Sequence, residues 1–461
     1  MATPSTATIA ARIDRLPQTS LVRKLIVLIS LGGWFEFYDL FFTAAVGAGM
    51  VKSGLFKVGP NPFETGSLAS FVASLFAGLF IGTIGFSWLS DRFGRRSIFT
   101  FSLLWYSIGS FILAFQQSAA GVDLWRMIAC IGLGVELVNV DTYVSELVPK
   151  ERRGPAFAFN QAIMYTAVPT IALLAYLMAP PFTFLGLEGW RWVVIIGSLG
   201  AIFIWWIRLG LPESPRWLAQ HGHMREAEAI VSNMERLAES ETGRPLPPPQ
   251  LVPGEAEAKR GRWIEMWDEQ YRSRTIMLVV YNLFQTIGYY GFQAWVPQFL
   301  ISKGIGVTTS LAYTFIIACS NPLGPLIGIW LADRFERKWQ IAWAAAGIAA
   351  FGLLFAQQSN EALLIVFGIL ITLCANWLSF SFHAYQAELY PTRIRAQAVG
   401  FVYSWSRFSA IFSGFIIAFL LGNYGTTGVF TFIAGAMVVV FIVIGGFGPP
   451  VTGRRLEAIA T

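Results

Sequence analysis

Apolar stretches of about twenty residues recur twelve times along this chain, and no other feature limits its fold so strongly. They cover about 24–50, 66–90, 97–117, 122–145, 155–179, 190–210, 275–301, 309–332, 339–357, 361–387, 397–420 and 427–448. A helix needs about 20 apolar residues to cross the hydrocarbon core of a bilayer. In lipid every backbone N–H and C=O must be satisfied within the protein, so spanning elements are helices or closed barrels. These runs lack the alternating apolar–polar period of barrel strands. The predicted fold is therefore all-α and integral to the membrane, with twelve transmembrane helices. The composition agrees: only 13% of residues are charged, against about 25% in soluble domains.

The charges then orient the spans. All but six of the 33 Lys and Arg residues lie in the N-terminal segment, the even-to-odd loops, the end of span six or the C-terminal segment. The six are Lys52, Lys57, Arg126, Arg191, Lys303 and Arg407. Positive residues stay on the cytoplasmic side, so both termini are expected there. This asymmetry accounts for the net charge of +6 without nucleic acid. The segment before the first span is polar, with a short amphipathic stretch, IAARIDRL, and reads as a cytoplasmic lead-in rather than a cleavable signal. Cys130, Cys319 and Cys374 fall in predicted spans without metal-ligand spacing, and read as packed small residues. No phosphate-cradling loop of the GxxxxGK[ST] form is present, so ATP drive is unsupported. No catalytic constellation, metal site or cofactor site is expected.

The chain also repeats. WLSDRFGRRS (88–97) follows span two and WLADRFERKW (330–339) follows span eight. SELVPKERRGPA (145–156) follows span four and AELYPTRIRAQA (387–398) follows span ten. Asp91 and Asp333 share the offset of Glu146 and Glu388, and of Arg153 and Arg395. One offset in two separate loops means that six spans were duplicated. The expected organisation is a tail over 1–23, a six-helix half over 24–210, a cytoplasmic linker over 211–272, a second half over 273–448 and a tail over 449–461. The linker holds a helical stretch, MREAEAIVSNMERLAES, and then the breaker-rich GRPLPPPQLVPG. Parallel halves place a substrate site between them near the bilayer midplane, with alternating access by rocking. Carboxylates followed by arginines at the cytoplasmic helix ends can pair across helices when that face is closed. This assigns gating to Asp91, Arg92, Arg95, Glu146 and Arg153, and to Asp333, Glu388 and Arg395 in the second half.

These motifs resemble the major facilitator superfamily. SDRFGRR is similar to its Asp-Arg-x-Gly-Arg-Arg loop. LPESPRWLAQHGHMREA is similar to the signature after span six of sugar porters and their organic-ion and carboxylate relatives, and RMIACIGLGVELVNVDTYVSELVPKERRG fits their fourth span. Glu336 stands where the second loop usually has Gly. The resemblance implies the major facilitator fold and secondary transport.

Charges inside the spans mark function by default. Glu36 and Asp39 lie at i and i+3 in GGWFEFYDLFF, on one face of span one. Neighbouring carboxylates resist joint ionisation, which suits proton carriage. Arg126, in span four, is the cation able to make that proton affinity conformation-dependent. The resemblance supports this, because proton-coupled sugar porters pair an Asp of span one with the Arg opening the span-four motif. Glu136 and Asp141, also in span four, are buried charges whose role stays open; Arg407 is one candidate partner of Glu136.

Arg407, about ten residues into span eleven, is the feature that speaks to substrate. Its planar fork matches a carboxylate, and lipid disfavours it facing outward. Aromatic-acid and organic-anion transporters similarly carry an Arg there. Span seven, YNLFQTIGYYGFQAWVP, supplies Gln285, Tyr289 and Tyr290 to the expected pocket, and its GYYGFQAWVP resembles a stretch of nicotinate and organic-ion relatives. Trp377 and His383 in span ten join the expected pocket. Gln161 stands where sugar porters bind their ligand. The expected function is inward symport of a small organic anion, a monocarboxylate or aromatic acid, with protons, by a monomer in a bacterial inner membrane. The alternatives are a proton-linked sugar or polyol porter and a ligand-sensing transceptor.

Overall fold

The computed structural model describes residues 6–17, 19–57, 66–86, 88–149, 153–249, 262–331 and 335–451. In chain order the helices are α1 (Thr6–Asp14), α2 (Ser20–Lys52), α3 (Leu68–Phe86), α4 (Trp88–Phe93), α5 (Arg95–Ala114), α6 (Ala119–Leu147), α7 (Arg153–Tyr165), α8 (Ala167–Leu177), α9 (Gly189–Ser198) and α10 (Gly200–Gly210). The linker follows as α11 (Pro215–Gln220) and α12 (Met224–Thr242). The second half is α13 (Glu269–Gln293), α14 (Val296–Ser302), α15 (Val307–Ala318), α16 (Leu323–Leu331), α17 (Arg337–Gln357), α18 (Glu361–Glu388) and α19 (Thr392–Phe447). A two-stranded hairpin, Thr183–Phe184 with Leu187–Glu188, turns between spans five and six.

The spans differ from unbroken rods for local reasons. Span five divides into α7 and α8 at Thr166. Pro169 has no N–H with which to bond the Tyr165 carbonyl four residues earlier. Span eight divides into α15 and α16 across Cys319–Pro322. Spans eleven and twelve, read as separate runs, are two helices that abut without a loop within α19; Gly425, at φ 63°, is non-helical and makes the turn between them. That left-handed conformation suits glycine, which has no Cβ to clash.

Helix α6 carries Arg126, Glu136 and Asp141 and is held against α3 and α5 by small residues. A Cβ at Gly78 or Gly82 of α3 would strike α6 backbone, and one at Gly134 of α6 would strike α3. Gly109 of α5 faces Ala129 with equally little room. With no hydrophobic drive between helices in lipid, such close approach is what packs them. The halves meet at several points. Tyr165 and Tyr289 share a hydrogen bond of 2.8 Å, and the rings of Phe76 and Tyr290 lie 4.7 Å apart.

Helix α1 packs on the linker. Ile9 and Ile13 bury against Leu218, Ala219, Ala227 and Val231. Arg12 and Arg15 both pair with Glu235 at 2.6 Å, and Arg216 pairs with Asp14 at 2.8 Å. The amphipathic stretch IAARIDRL thus spends its apolar face on the linker helices rather than on lipid.

Candidate functional site

Two buried arginines organise the interior, one in each half. In the first, α2 brings Asp39 to Arg126 of α6. Arg126 Nη1 donates to Asp39 Oδ1 at 2.6 Å. Its Nη2 donates to the Asp39 carbonyl at 2.6 Å and to Thr43 Oγ1 at 2.9 Å. The guanidinium also lies 4.1 Å from the centroid of the Phe42 ring. Ser110 of α5 donates a short hydrogen bond to Asp39 Oδ2. Arg126 is wholly buried and Asp39 is 4% exposed. Breaking such a pair leaves an uncompensated charge in a low dielectric, which costs about 3–5 kcal/mol. Glu36, one turn toward the cytoplasm, is also wholly buried.

In the second half Arg407 of α19 is 3% exposed. Its Nη1 donates to the Tyr290 hydroxyl at 2.9 Å and its Nη2 to the Tyr403 hydroxyl at 3.0 Å. The same two rings lie 5.7 and 4.9 Å from its guanidinium carbon. Among the described residues it forms no ion pair with an acid. His383 stacks edge-on against Tyr403 at 5.3 Å, within electrostatic reach of Arg407. Beside this group Tyr289 donates to Asn376 Oδ1 at 3.4 Å, and Asn376 in turn reaches Asn321. Arg407, Tyr290, Tyr403 and His383 therefore make a cationic, aromatic patch from spans seven, ten and eleven.

The remaining residues divide. Glu136 is wholly buried and accepts a short hydrogen bond from Ser102 of α5; Arg407 is not its partner. Gln285 is bonded to Thr286 at 3.1 Å. Trp377 donates to Gln340 of α17 at 3.1 Å. Gln161 is half-buried and has no hydrogen-bond partner among the described residues. Sequence reasoning missed Thr43 and Ser110 as ligands of the charged groups. A hydroxyl in an apolar run carries no signal of its own until its neighbour is known.

At the cytoplasmic ends, Arg95 pairs with Glu146 at 3.0 Å and Arg337 pairs with Glu388. The two pairs stand at repeat-equivalent positions, and each joins two helices within one half. Glu213, in the loop after span six, accepts from the backbone N–H groups of Arg95 and Arg96 at the start of α5. Burial pushes its carboxyl up, and those N–H groups with that of Ser214 pull part of the shift back. Arg92 is exposed over the Phe93 ring, and Arg395 donates to the Tyr390 carbonyl at 3.2 Å. Asp333, and the side chains of Asp91, Asp141 and Arg153, lie outside the described residues. Among the described residues no group of three His, Cys, Asp or Glu side chains could hold a metal ion.

The family model described as "Sugar (and other) transporter" matches residues 25–461. The chain belongs to this family. Among its curated relatives is the Bacillus subtilis protein named "Putative metabolite transport protein YyaJ", 30% identical over 97% of this chain and 96% of that one. The niacin transporter NiaP of Acinetobacter baylyi is 27% identical over 98% and 99%. The solved structure of the xylose transporter XylE from E. coli, in a partially occluded inward-open conformation, superposes with a TM-score of 0.74 at 20% identity, covering 95% of this chain and all of that one. The chain is thus a multi-pass membrane transporter of the major facilitator fold and not an enzyme.

Proposed function

We propose that this transporter is a proton-coupled symporter that carries a small organic anion, a monocarboxylate or aromatic acid, into the cell. The observation that carries the reading is Arg407: a buried cation whose described partners are two tyrosine hydroxyls and no acid. A substrate carboxylate completes the charge balance that the protein leaves open, and the planar fork holds it in two parallel hydrogen bonds. The aromatic rings beside it suit a flat, apolar body. The name of the niacin relative agrees with such a substrate.

Proton coupling rests on Asp39. Its carboxylate is paired with Arg126. A conformation in which that pair opens leaves the carboxylate free to take a proton, so loading and release follow the rocking of the halves. Glu36 lies on the same face as a second carboxylate. The cytoplasmic pairs, Arg95 with Glu146 and Arg337 with Glu388, serve as gates at the ends of their halves. The protein works as a monomer in a bacterial inner membrane, with both termini and the 211–272 linker in the cytoplasm.

The test is uptake of labelled nicotinate and benzoate into proteoliposomes, with and without an inward proton gradient. Accumulation should require the gradient and should collapse in Arg407→Gln. The second reading, a sugar or polyol porter, is favoured by Gln161, whose amide is half-buried without a protein partner. Uptake of a neutral sugar that survives Arg407→Gln and fails in Gln161→Ala would replace the anion reading.

A further inference from the structure

One face of α5 carries a hydroxyl at every fourth position where it meets the buried acids. Ser102, Tyr106 and Ser110 stand at i, i+4 and i+8, with a rise of about 6 Å between neighbours. Ser102 bonds Glu136 and Ser110 bonds Asp39. Tyr106 lies between them, 1% exposed. Its hydroxyl finds no hydrogen-bond partner among the described residues, and neither does Glu136 Oε1. Such groups are rare in folded interiors and call for an explanation.

The charges around that hydroxyl are specific. Glu136 of α6 and then Glu36 and Asp39 of α2 act on it electrostatically. Arg126 and Cys130 stand farther along α6, beside Asp39. At the far end of α5, Arg191 of α9 binds the carbonyls of Ala114 and Gln116. At the near end, Asn139, one turn beyond Glu136, donates to the Arg95 carbonyl, and Arg95 pairs with Glu146 at the cytoplasmic face. A polar thread therefore runs from the Asp39 site through α5 to the cytoplasmic gate.

The duplication provides a control. Between the loop pairs that define the repeat, the same offset carries Arg95 to Arg337 and Glu146 to Glu388, and both ion pairs form. That offset carries Ser102, Tyr106 and Ser110 to Ala344, Ile348 and Gly352 of α17, and Glu136 to Leu378. Helix packing alone is met by apolar residues at these sites. The thread belongs only to the half that holds Asp39.

We propose that Tyr106 relays protons between the Asp39–Glu36 pair and Glu136, which makes Glu136 the cytoplasm-side acceptor that discharges the coupling carboxylate. In the relay, once the rocking of the helices brings the two groups, unbonded here, within hydrogen-bond reach, the Tyr106 O–H bond breaks as its proton passes to a Glu136 carboxylate oxygen. A new O–H bond forms on the phenol with the proton leaving the Asp39–Glu36 pair. The phenol ends neutral, one carboxyl has lost a proton and Glu136 has gained it. The inference rests on the proton-coupling reading of Asp39 and adds the route.

The test needs no transported substrate. The full-length protein in lipid nanodiscs is jumped from alkaline to mildly acidic pH, and proton uptake is followed with an indicator dye. Tyr106→Phe should bind as many protons as the parent but at least about tenfold more slowly in its slow phase, with an unchanged melting temperature. Glu136→Gln should bind fewer protons. An unaltered rate in Tyr106→Phe, or an unaltered count in Glu136→Gln, would overturn the relay. If Tyr106→Phe does not fold, the Glu136→Gln count decides alone. Failure of the symport reading is seen elsewhere, as accumulation indifferent to the proton gradient.

Discussion

Arg126 and Arg407 are both buried arginines in spanning helices, and the protein treats them differently. Arg126 meets its own acid, a hydroxyl and a ring face, and its site is close to neutral without help. Arg407 meets two phenols, one of them packed against a histidine, and its site keeps a positive charge. A self-neutralised pair costs little to carry between conformations and can switch by taking a proton. An uncompensated cation is costly alone and is relieved by a bound anion. The two halves of a duplicated fold have thus become unlike in their interiors while staying alike at their cytoplasmic ends.

The largest effect should come from breaking the paired site. Arg126→Gln leaves Asp39 buried without its cation and should lower stability by about 3–5 kcal/mol; Asp39→Asn with Arg126→Gln should recover much of that. Thermal unfolding of the single and double variants checks this, and additive losses would mean that the two residues act independently. In transport, Asp39→Asn should abolish gradient-driven accumulation and retain exchange.

At the open site, Arg407→Gln should cost about 2–5 kcal/mol of carboxylate binding, with little change in melting temperature. A direct binding titration with nicotinate separates the two. Supplying the missing acid sharpens the contrast: Tyr403→Asp should satisfy Arg407 internally, raise stability and still abolish carboxylate binding. If binding survives, Arg407 is not the substrate's counter-ion. Milder still, Tyr290→Phe removes one hydrogen bond to a charged group, worth about 1.5–3 kcal/mol, and should weaken binding about tenfold or more.

The smallest effect lies at the cytoplasmic end of the first half. Folding lifts the Glu213 carboxyl above its ordinary value through burial. The folded state then holds its proton more tightly than the unfolded state, so this group's contribution falls as pH rises from the ordinary value through the folded one. Glu213→Gln should flatten that part of the melting-temperature profile in mildly acidic buffer. A profile unchanged by the substitution would remove Glu213 from the account.

Much of the site was legible because a charge in an apolar run stands out. Glu36, Asp39, Arg126, Glu136 and Arg407 were all visible in this way. The pairing of Asp39 with Arg126 came from family position and is present in the structure. The pairing of Glu136 could not be read. Arg407 was one candidate, and Ser102 is what it meets. Trp377 was placed in the pocket by composition, yet its indole turns to Gln340. Spans eleven and twelve were legible as two helices, and the structure adds only how closely they abut. Gly425 turns the chain while the surrounding residues continue to favour helix.

The amino-acid sequence by itself determined that the chain lies in a bilayer, how often it crosses and that its halves are copies. Those properties follow from composition summed along the chain, because each span is inserted according to its own transfer free energy. Only the tertiary structure decided which buried charge has a partner. A helix turns its side chains through about 100° per residue. Whether Arg126 finds an acid and Arg407 finds two phenols therefore depends on how each helix is rotated against its neighbours, and packing sets that rotation.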